Sequence, residues 1–311
     1  MTDTKPSTWL SNRERGTILG IRAAFRLATL FGRPATKPVI ACIAMWYRLF
    51  DRRSTRASKQ WLERATGKPA GFWAVYRHLR TFAQVTLDKV FLLTGRTKSL
   101  VFTRDGNHLL AAQRASGRGA LLLGAHLGSY EAMRAGGDDD DLRINILGYF
   151  ANSRMINSLL SELNPQQAAQ VIDISADPVG VMARAQGCLE RGEFLASLAD
   201  RTGLNDRSAE ATFFGAPARF STGPFLLASI MKCPVYLVFG IYKAPNRYEL
   251  HCEHFADRID VPRRDREGAL RAWVQKYAVR VEEMARLAPD NWFNFYDFWA
   301  PPAPRDAAPT P

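Results

Sequence analysis

The chain of 311 residues is 47% hydrophobic and 23% charged, with a formal net charge of +12; this ordinary globular composition fits one large or two modest domains and excludes a disordered or collagen-like chain. The charge is uneven, with 20 Lys/Arg against 5 Asp/Glu in residues 1–104 and 22 against 25 in residues 105–311. A basic third joined to a near-neutral body points to an anionic surface such as phospholipid headgroups, an acidic carrier protein or nucleic acid.

Disorder is expected only at the ends, MTDTKPST and APPAPRDAAPTP. Met1 to Leu10 lacks the apolar core of a secretory signal, so the chain is expected to stay in the cytoplasm. Cys42, Cys188, Cys233 and Cys252 are scattered and read as reduced thiols.

Gly16 to Phe31 and Val39 to Arg64 read as helices punctuated by Pro34 and Pro38. In the first, Ile18, Leu19, Ile21, Phe25, Leu27, Leu30 and Phe31 interleave with Arg22, Arg26 and Arg33; in the second, the apolar block Val39 to Tyr47 stops at Arg48. Neither block reaches the roughly 18 uncharged residues that span a bilayer, and both fit helices lying in the interface with arginines snorkelling to phosphates. Apolar residues among the arginines favour lipid over nucleic acid as the anionic partner. Ala70 to Leu93 is a third helix, and SLVFTRDGNHLLAAQRA an extended piece followed by a helix begun near Asp105. His78 reads as a solvated or satisfied histidine, and His108 as a surface one.

The segment GALLLGAHLGSYE, Gly119 to Glu131, is the chemical centre of the chain. A short apolar run, Ala120 to Leu123, has the length of a strand buried on both faces. Gly124 and Gly128 flank His126 two residues on each side, as in the strand-to-helix elbow that exposes a nucleophile in hydrolases. Glu131, in the first turn of the following helix, can reach back to one ring nitrogen, fixing the tautomer and leaving the other nitrogen to take a proton from an alcohol or amine; on spacing alone, a core histidine with a helix-start glutamate that complements the dipole is the equal alternative. Ser129 reads as a helix-start residue.

Beyond this point strands alternate with helices. Ile144 to Phe150, Val171 to Ser175 and Phe194 to Ala199 read as strands, and Asn152 to Leu163 and Pro178 to Arg191 as helices. The fold expected is α/β, a mostly parallel central sheet flanked by helices, in which active residues gather at the carboxyl ends of strands. His126, Arg154, Asp200 and Arg201 all fall at or near such ends. Gly223 to Met231 reads as a helix leading into a strand opened by Pro234, and Arg264 to Leu287 as the last long helix. In YELHCEHF, His251 and Glu253 face the opposite side of a strand from Cys252 and His254, so four ligands cannot converge on a zinc ion. NWFNFYDFW, residues 291–299, either packs the domain edge or enters a membrane interface.

The H-x4-E pair after an apolar strand resembles the first motif of the glycerolipid acyltransferase superfamily, and within it the chain is most similar to bacterial lipid A biosynthesis acyltransferases. RERGTILGIRAAFRLATLFGR, LGYFANSR, GEFLASLADRTG and FFGAPARFSTGPFLLASIMKCPVYLVF follow the order of the family's segments. The resemblance implies transfer of a fatty acyl chain from an acyl thioester, on acyl carrier protein or coenzyme A, to a hydroxyl or amine of a lipid or glycolipid acceptor at the cytoplasmic face of the inner membrane. His126 would be the general base and Glu131 its partner, with no metal or tightly bound cofactor. Arg154 would bind an acyl donor or phosphorylated acceptor, and Asp200 would orient Arg154 or Arg201 or contact the acceptor. Phe213, Phe214 and Phe220 read as plain core or as the lining of an acyl slot, and backbone N–H groups at the Gly128 turn or helix start are candidates for stabilising an oxyanion. Where many members carry a basic stretch before the third motif this chain has VIDISADP, which leaves the acceptor open among an outer-membrane glycolipid, an ornithine-type lipid and a polyene lipid. A hydrolase using the same pair on water, or a non-catalytic membrane- or carrier-binding protein, are the alternatives. The division expected is a basic helical membrane-associated region at 1–104, an acyltransferase domain at 105–300 and a tail at 301–311.

Overall fold

The computed structural model describes residues 26, 30–136, 142–148, 170–174, 177–202 and 207–300. Most of the first expected helix, the helix expected at 152–163, Arg154 and the tail lie outside the described residues.

Three helices come first: α1 (Lys37–Phe50), α2 (Arg52–Thr66) and α3 (Phe72–Leu93). The single helix expected from Val39 to Arg64 is two. Asp51 leaves helical backbone between them, and its carboxylate accepts from the N–H groups of Arg53 and Ser54, so one residue both ends α1 and caps α2. The chain continues through β1 (Val101–Asp105), α4 (Asn107–Ala115), β2 (Leu121–Gly124), α5 (Tyr130–Ala135), β3 (Ile144–Gly148), β4 (Val171–Asp173), α6 (Pro178–Glu190) and β5 (Phe194–Leu198). It ends with a hairpin of β6 (Ser208–Phe213) and β7 (Ala216–Ser221), then α7 (Gly223–Met231), β8 (Val235–Lys243), β9 (Arg247–Ala256) and α8 (Arg266–Leu287).

The fold is α/β. Seven strands form one sheet in the order β1-β9-β8-β2-β5-β3-β4, parallel at every pairing except β8 with β9. Strand β2 lies fourth of seven, and its four residues are all buried. Leu121 and Leu123 enter one packed cluster with α2, α3, α7 and α8, whereas Ala120 and Leu122 enter another that α4 and α5 cover. Helices therefore close both faces, which is why β2 reads as an unbroken apolar run.

The hairpin β6–β7 was not expected, and its aromatic residues decide between core and slot. Phe213 and Phe220 are fully enclosed and Phe214 nearly so; they pack against Trp61, Trp292, Phe298 and Trp299, so these phenylalanines are core and not an acyl slot. Trp61 of α2 stacks on Trp292 with ring centroids 4.9 Å apart. The aromatic segment after α8 thus packs inward.

Two buried polar contacts tie the amino-terminal helices to this body. His78 of α3 is fully enclosed, with Nδ1 2.8 Å from the Ser58 hydroxyl and Nε2 2.6 Å from the Trp292 carbonyl. Arg33, in a helical turn through residues 30–35, donates two bonds of 2.8 and 3.0 Å to Asp88 and a third of 2.7 Å to the Pro245 carbonyl. Asp88, wholly buried, also accepts from Gln84 and Tyr248, so the ion pair has the full set of partners that a desolvated pair requires.

Burial lowers the pKa of His78 from 6.5 to about 4, although its bond to Trp292 opposes the shift. The unfolded chain therefore binds this proton first, and the contribution of neutral His78 is complete above pH 6.5 and lost as pH falls toward 4. Between pH 7 and pH 5 that loss amounts to about 2 kcal/mol. Urea unfolding of His78→Gln at the two pH values should show a decline smaller than wild type by about that amount.

Candidate active site

The elbow expected at His126 is present: β2 ends at Gly124, the chain bends through residues 125–129, and α5 begins at Tyr130. Gly128 has φ +76°, and a Cβ there would strike the Gly240 carbonyl of β8, so the elbow presses against the neighbouring strand in a way only glycine permits. Ser129 N–H donates to that same carbonyl at 2.8 Å, and Gly128 N–H donates to the Asn291 carbonyl at 2.9 Å. The Gly128 and Ser129 N–H groups are therefore already engaged and offer nothing to an oxyanion. Ser129 caps α5 by accepting from the Ala132 N–H, the helix-start role its sequence indicated.

The partner of His126 is Asp200, not Glu131. Nδ1 lies 2.9 Å from Asp200 Oδ1, and the His126 backbone N–H donates to Oδ2 at 3.0 Å. Sheet register explains the meeting. Strands β2 and β5 are parallel neighbours with Gly124 opposite Leu198, so the residues two places beyond each, His126 and Asp200, arrive side by side. The motif H-x4-E carries no trace of this contact, because the acid comes from 74 residues further along the chain.

Glu131 turns elsewhere. It forms an ion pair of 2.7 Å with Lys89 of α3 and accepts from the Ser129 hydroxyl at 3.1 Å. Its burial favours the neutral acid, but the Lys89 charge and hydrogen bonds from Lys89, its own backbone N–H and Ser129 outweigh it and hold the pKa below the usual carboxylate value. Arg201 is half-buried and directed inward: Nε donates to Asn294 Oδ1 at 2.6 Å, and a second nitrogen donates to the Phe293 carbonyl at 3.0 Å. Arg154 lies outside the described residues, so the site assembled here comprises His126 and Asp200 with Glu131, Lys89, Arg201 and Asn294 around them.

The segment after α8 holds the back of the site. Leu127 bridges Trp292, Phe293 N–H donates to the His126 carbonyl at 2.8 Å, and the Asn291 side chain bonds both backbone groups of Tyr242. Asn294 Nδ2 donates to Asp200 Oδ2 at 2.8 Å. Tyr277 of α8 donates to the Gly124 carbonyl at 2.7 Å, closing the end of β2. Sequence reading passed over Asn291 and Asn294. Their signal was two asparagines set among aromatic residues, a place where a buried amide needs full hydrogen bonding.

The electrostatics suit a base. Burial lowers the His126 pKa, Arg201 and Lys89 lower it further, and Asp200 opposes them, leaving it below 6.5. Burial works to raise Asp200, but the His126 charge and hydrogen bond, Arg201 and Asn294 bring it down to about 2. At neutral pH Asp200 is thus a carboxylate that accepts the Nδ1 proton, and the imidazole is neutral with its lone pair at Nε2. Among the described residues Nε2 has no hydrogen-bonding partner, and 29% of the His126 side chain is exposed. Among the described residues no group of His, Cys, Asp or Glu is arranged to hold a metal ion; Glu253 pairs with Arg280, and His254 with Asp257.

No curated protein matches the chain. Residues 8–300 match the family described as bacterial lipid A biosynthesis acyltransferase. That match runs from the basic amino-terminal region through the His126 elbow to the end of the aromatic segment, and the chain belongs to the bacterial lipid A biosynthesis acyltransferase family.

Proposed function

We propose that this acyltransferase moves a fatty acyl chain from an acyl thioester to a hydroxyl or amine of a lipid or glycolipid, with His126 as general base and Asp200 as the carboxylate that orients it. The observation that carries this reading is the 2.9 Å contact of Nδ1 with a carboxylate of depressed pKa, beside an unengaged Nε2. Nε2 takes the acceptor's proton as its oxygen or nitrogen attacks the thioester carbonyl. The tetrahedral intermediate collapses, the thiolate leaves, and the imidazolium returns the proton to it. Asp200 stabilises the imidazolium without itself being protonated. Acyl carrier protein is the proposed donor, because an acidic carrier suits the excess of positive charge in residues 1–104. The glutamate of the motif, paired with Lys89, would form the rim of the site next to the reacting groups.

The proposed setting is the cytoplasmic face of the inner membrane, with the protein bound at the surface. Among the described residues no helix is long and apolar enough to cross a membrane. The outer side of α1 nevertheless exposes Ile43, Trp46, Leu49 and Phe50, the last at 68%, and the start of α3 exposes Phe72 and Trp73. The Arg48 guanidinium lies 4.1 Å from the Phe72 ring centroid and joins the two helices' aromatic groups. Aromatic rings with arginine at their edge are suited to an anionic lipid interface.

Asp200→Asn should lower kcat by at least about a hundredfold, the scale of positioned acid–base catalysis. Glu131→Gln leaves the Nδ1 bond in place and should leave the acid limb of the kcat/KM profile unmoved; a limb that shifts with Glu131 and not with Asp200 would return the partner's role to the motif glutamate. Since only neutral His126 accepts a proton, wild-type activity should rise with pH along a limb centred below 6.5, measurable as kcat/KM from pH 4.5 to 8. For the membrane face, Trp46→Ser combined with Phe50→Ser should weaken sedimentation with phosphatidylglycerol vesicles by about tenfold or more while leaving the melting temperature intact. Equal binding would remove α1 from the lipid contact.

A further inference from the structure

We infer that Asn294 is a positioning residue for the acyl-transfer reaction: clamped by Arg201, it donates to Asp200 and thereby sets both the orientation and the basicity of His126. This rests on the proposed roles of His126 and Asp200.

Asn294 is 2% exposed and lies beyond α8, far in sequence from both members of the pair. An amide can present either face, and here its neighbours decide. A guanidinium has only donors, so Arg201 Nε at 2.6 Å must meet Oδ1; the ionised Asp200 carboxylate has only acceptors, so Nδ2 must meet it, at 2.8 Å. Arg201 is itself held by the Phe293 carbonyl. The amide is therefore locked from one side and delivers a directed donor on the other.

The consequence appears at Asp200. Oδ2 accepts from the His126 backbone N–H and from Asn294, which leaves Oδ1 for the imidazole and prevents the carboxylate from rotating. Donation from Asn294 also draws charge from the carboxylate, making it a weaker acceptor for Nδ1–H and keeping the imidazole less basic. Arg201, Lys89 of α3 with its partner Glu131, Tyr277 of α8 and Tyr296 are the other titratable or charged groups near the pair. Of these, Arg201 hydrogen-bonds Asn294, and the Tyr277 hydroxyl is engaged by the Gly124 carbonyl. Serine or aspartate at 294 would each break the lock in a different way. Serine is too short to reach both partners. Aspartate keeps the shape and the Arg201 bond but turns the donor facing Asp200 into an acceptor, so that one of two adjoining carboxyl groups must hold a proton.

The test compares wild type, Asn294→Ser and Asn294→Asp, with folding checked by thermal melting. In Asn294→Ser, kcat should fall about tenfold or more, KM for both substrates should stay within about twofold, and the acid limb of kcat/KM should move upward by about half a unit or more as His126 becomes more basic. Asn294→Asp should lose at least about a hundredfold in kcat near neutral pH. A lower kcat with an unmoved acid limb would assign Asn294 to folding alone and overturn the inference, as would a change in KM without a change in the limb. A measurement on the unaltered protein needs neither variant nor turnover: in nitrogen-15 spectra the Asn294 side-chain NH2 pair should shift together with the His126 ring titration. An Asn294 pair that stays fixed through that titration would overturn the coupling, whereas full activity in His126→Ala would instead overturn the assigned chemistry.

Discussion

In a parallel sheet the residues that follow two neighbouring strands emerge on the same edge, and the pairing register decides which of them meet. The pairing of β2 with β5 is the constraint on which the site depends. A slip of one residue would leave His126 level with Ala199 or Arg201, and the imidazole would face a methyl group or a cation instead of a carboxylate. The leucines of β2, each contributing about 2 kcal/mol through full burial, therefore do more than fill the core. They alternate between two clusters, so a slip would also turn every one of them to the wrong face.

Around that pair the chain is arranged as successive braces. The elbow is pinned to β8 through Gly128 and Gly240, two positions where any side chain would collide with backbone. The segment after α8 then crosses behind the elbow and bonds to it at Leu127, Gly128 and His126. Trp292 in that segment lies between the elbow and the aromatic group of Trp61, Phe213 and Phe298, so the segment after α8 joins the amino-terminal helices to the His126 elbow. Such support keeps a histidine fixed while leaving one of its nitrogens unengaged.

Much of this could be read from residues in order. The apolar run Ala120 to Leu123, the paired glycines and the alternation of strands with helices gave the fold class and the elbow, because each depends on neighbours a few places away. The break at Asp51 was visible only as a single helix-capping residue in a charged stretch, too weak a signal against a continuous helical pattern. Partnership was the harder question. Glu131 lies five residues from His126 and invited a local pairing, but Lys89, 42 positions earlier, claims it. Asp200 is a candidate from its place just past a strand, yet its contact with His126 depends on strand order, which periodicity does not encode. The phenylalanines around Gly215 illustrate the same limit: an apolar slot and a packed core have identical composition, and only the arrival of Trp61 and Trp292 distinguishes them.

The contact between Arg33 and Asp88 bears on how a surface-bound enzyme would work. Asp88 is enclosed and holds four donors, and Arg33 reaches past it to the turn joining β8 and β9. The chain entering α1 is thus bolted to the sheet rather than hinged on a loose tether. A bilayer resting under Trp46 and Phe50 would then set the height and tilt of His126 above it, and a lipid chain rising from that bilayer would meet the imidazole at one fixed angle in every turnover.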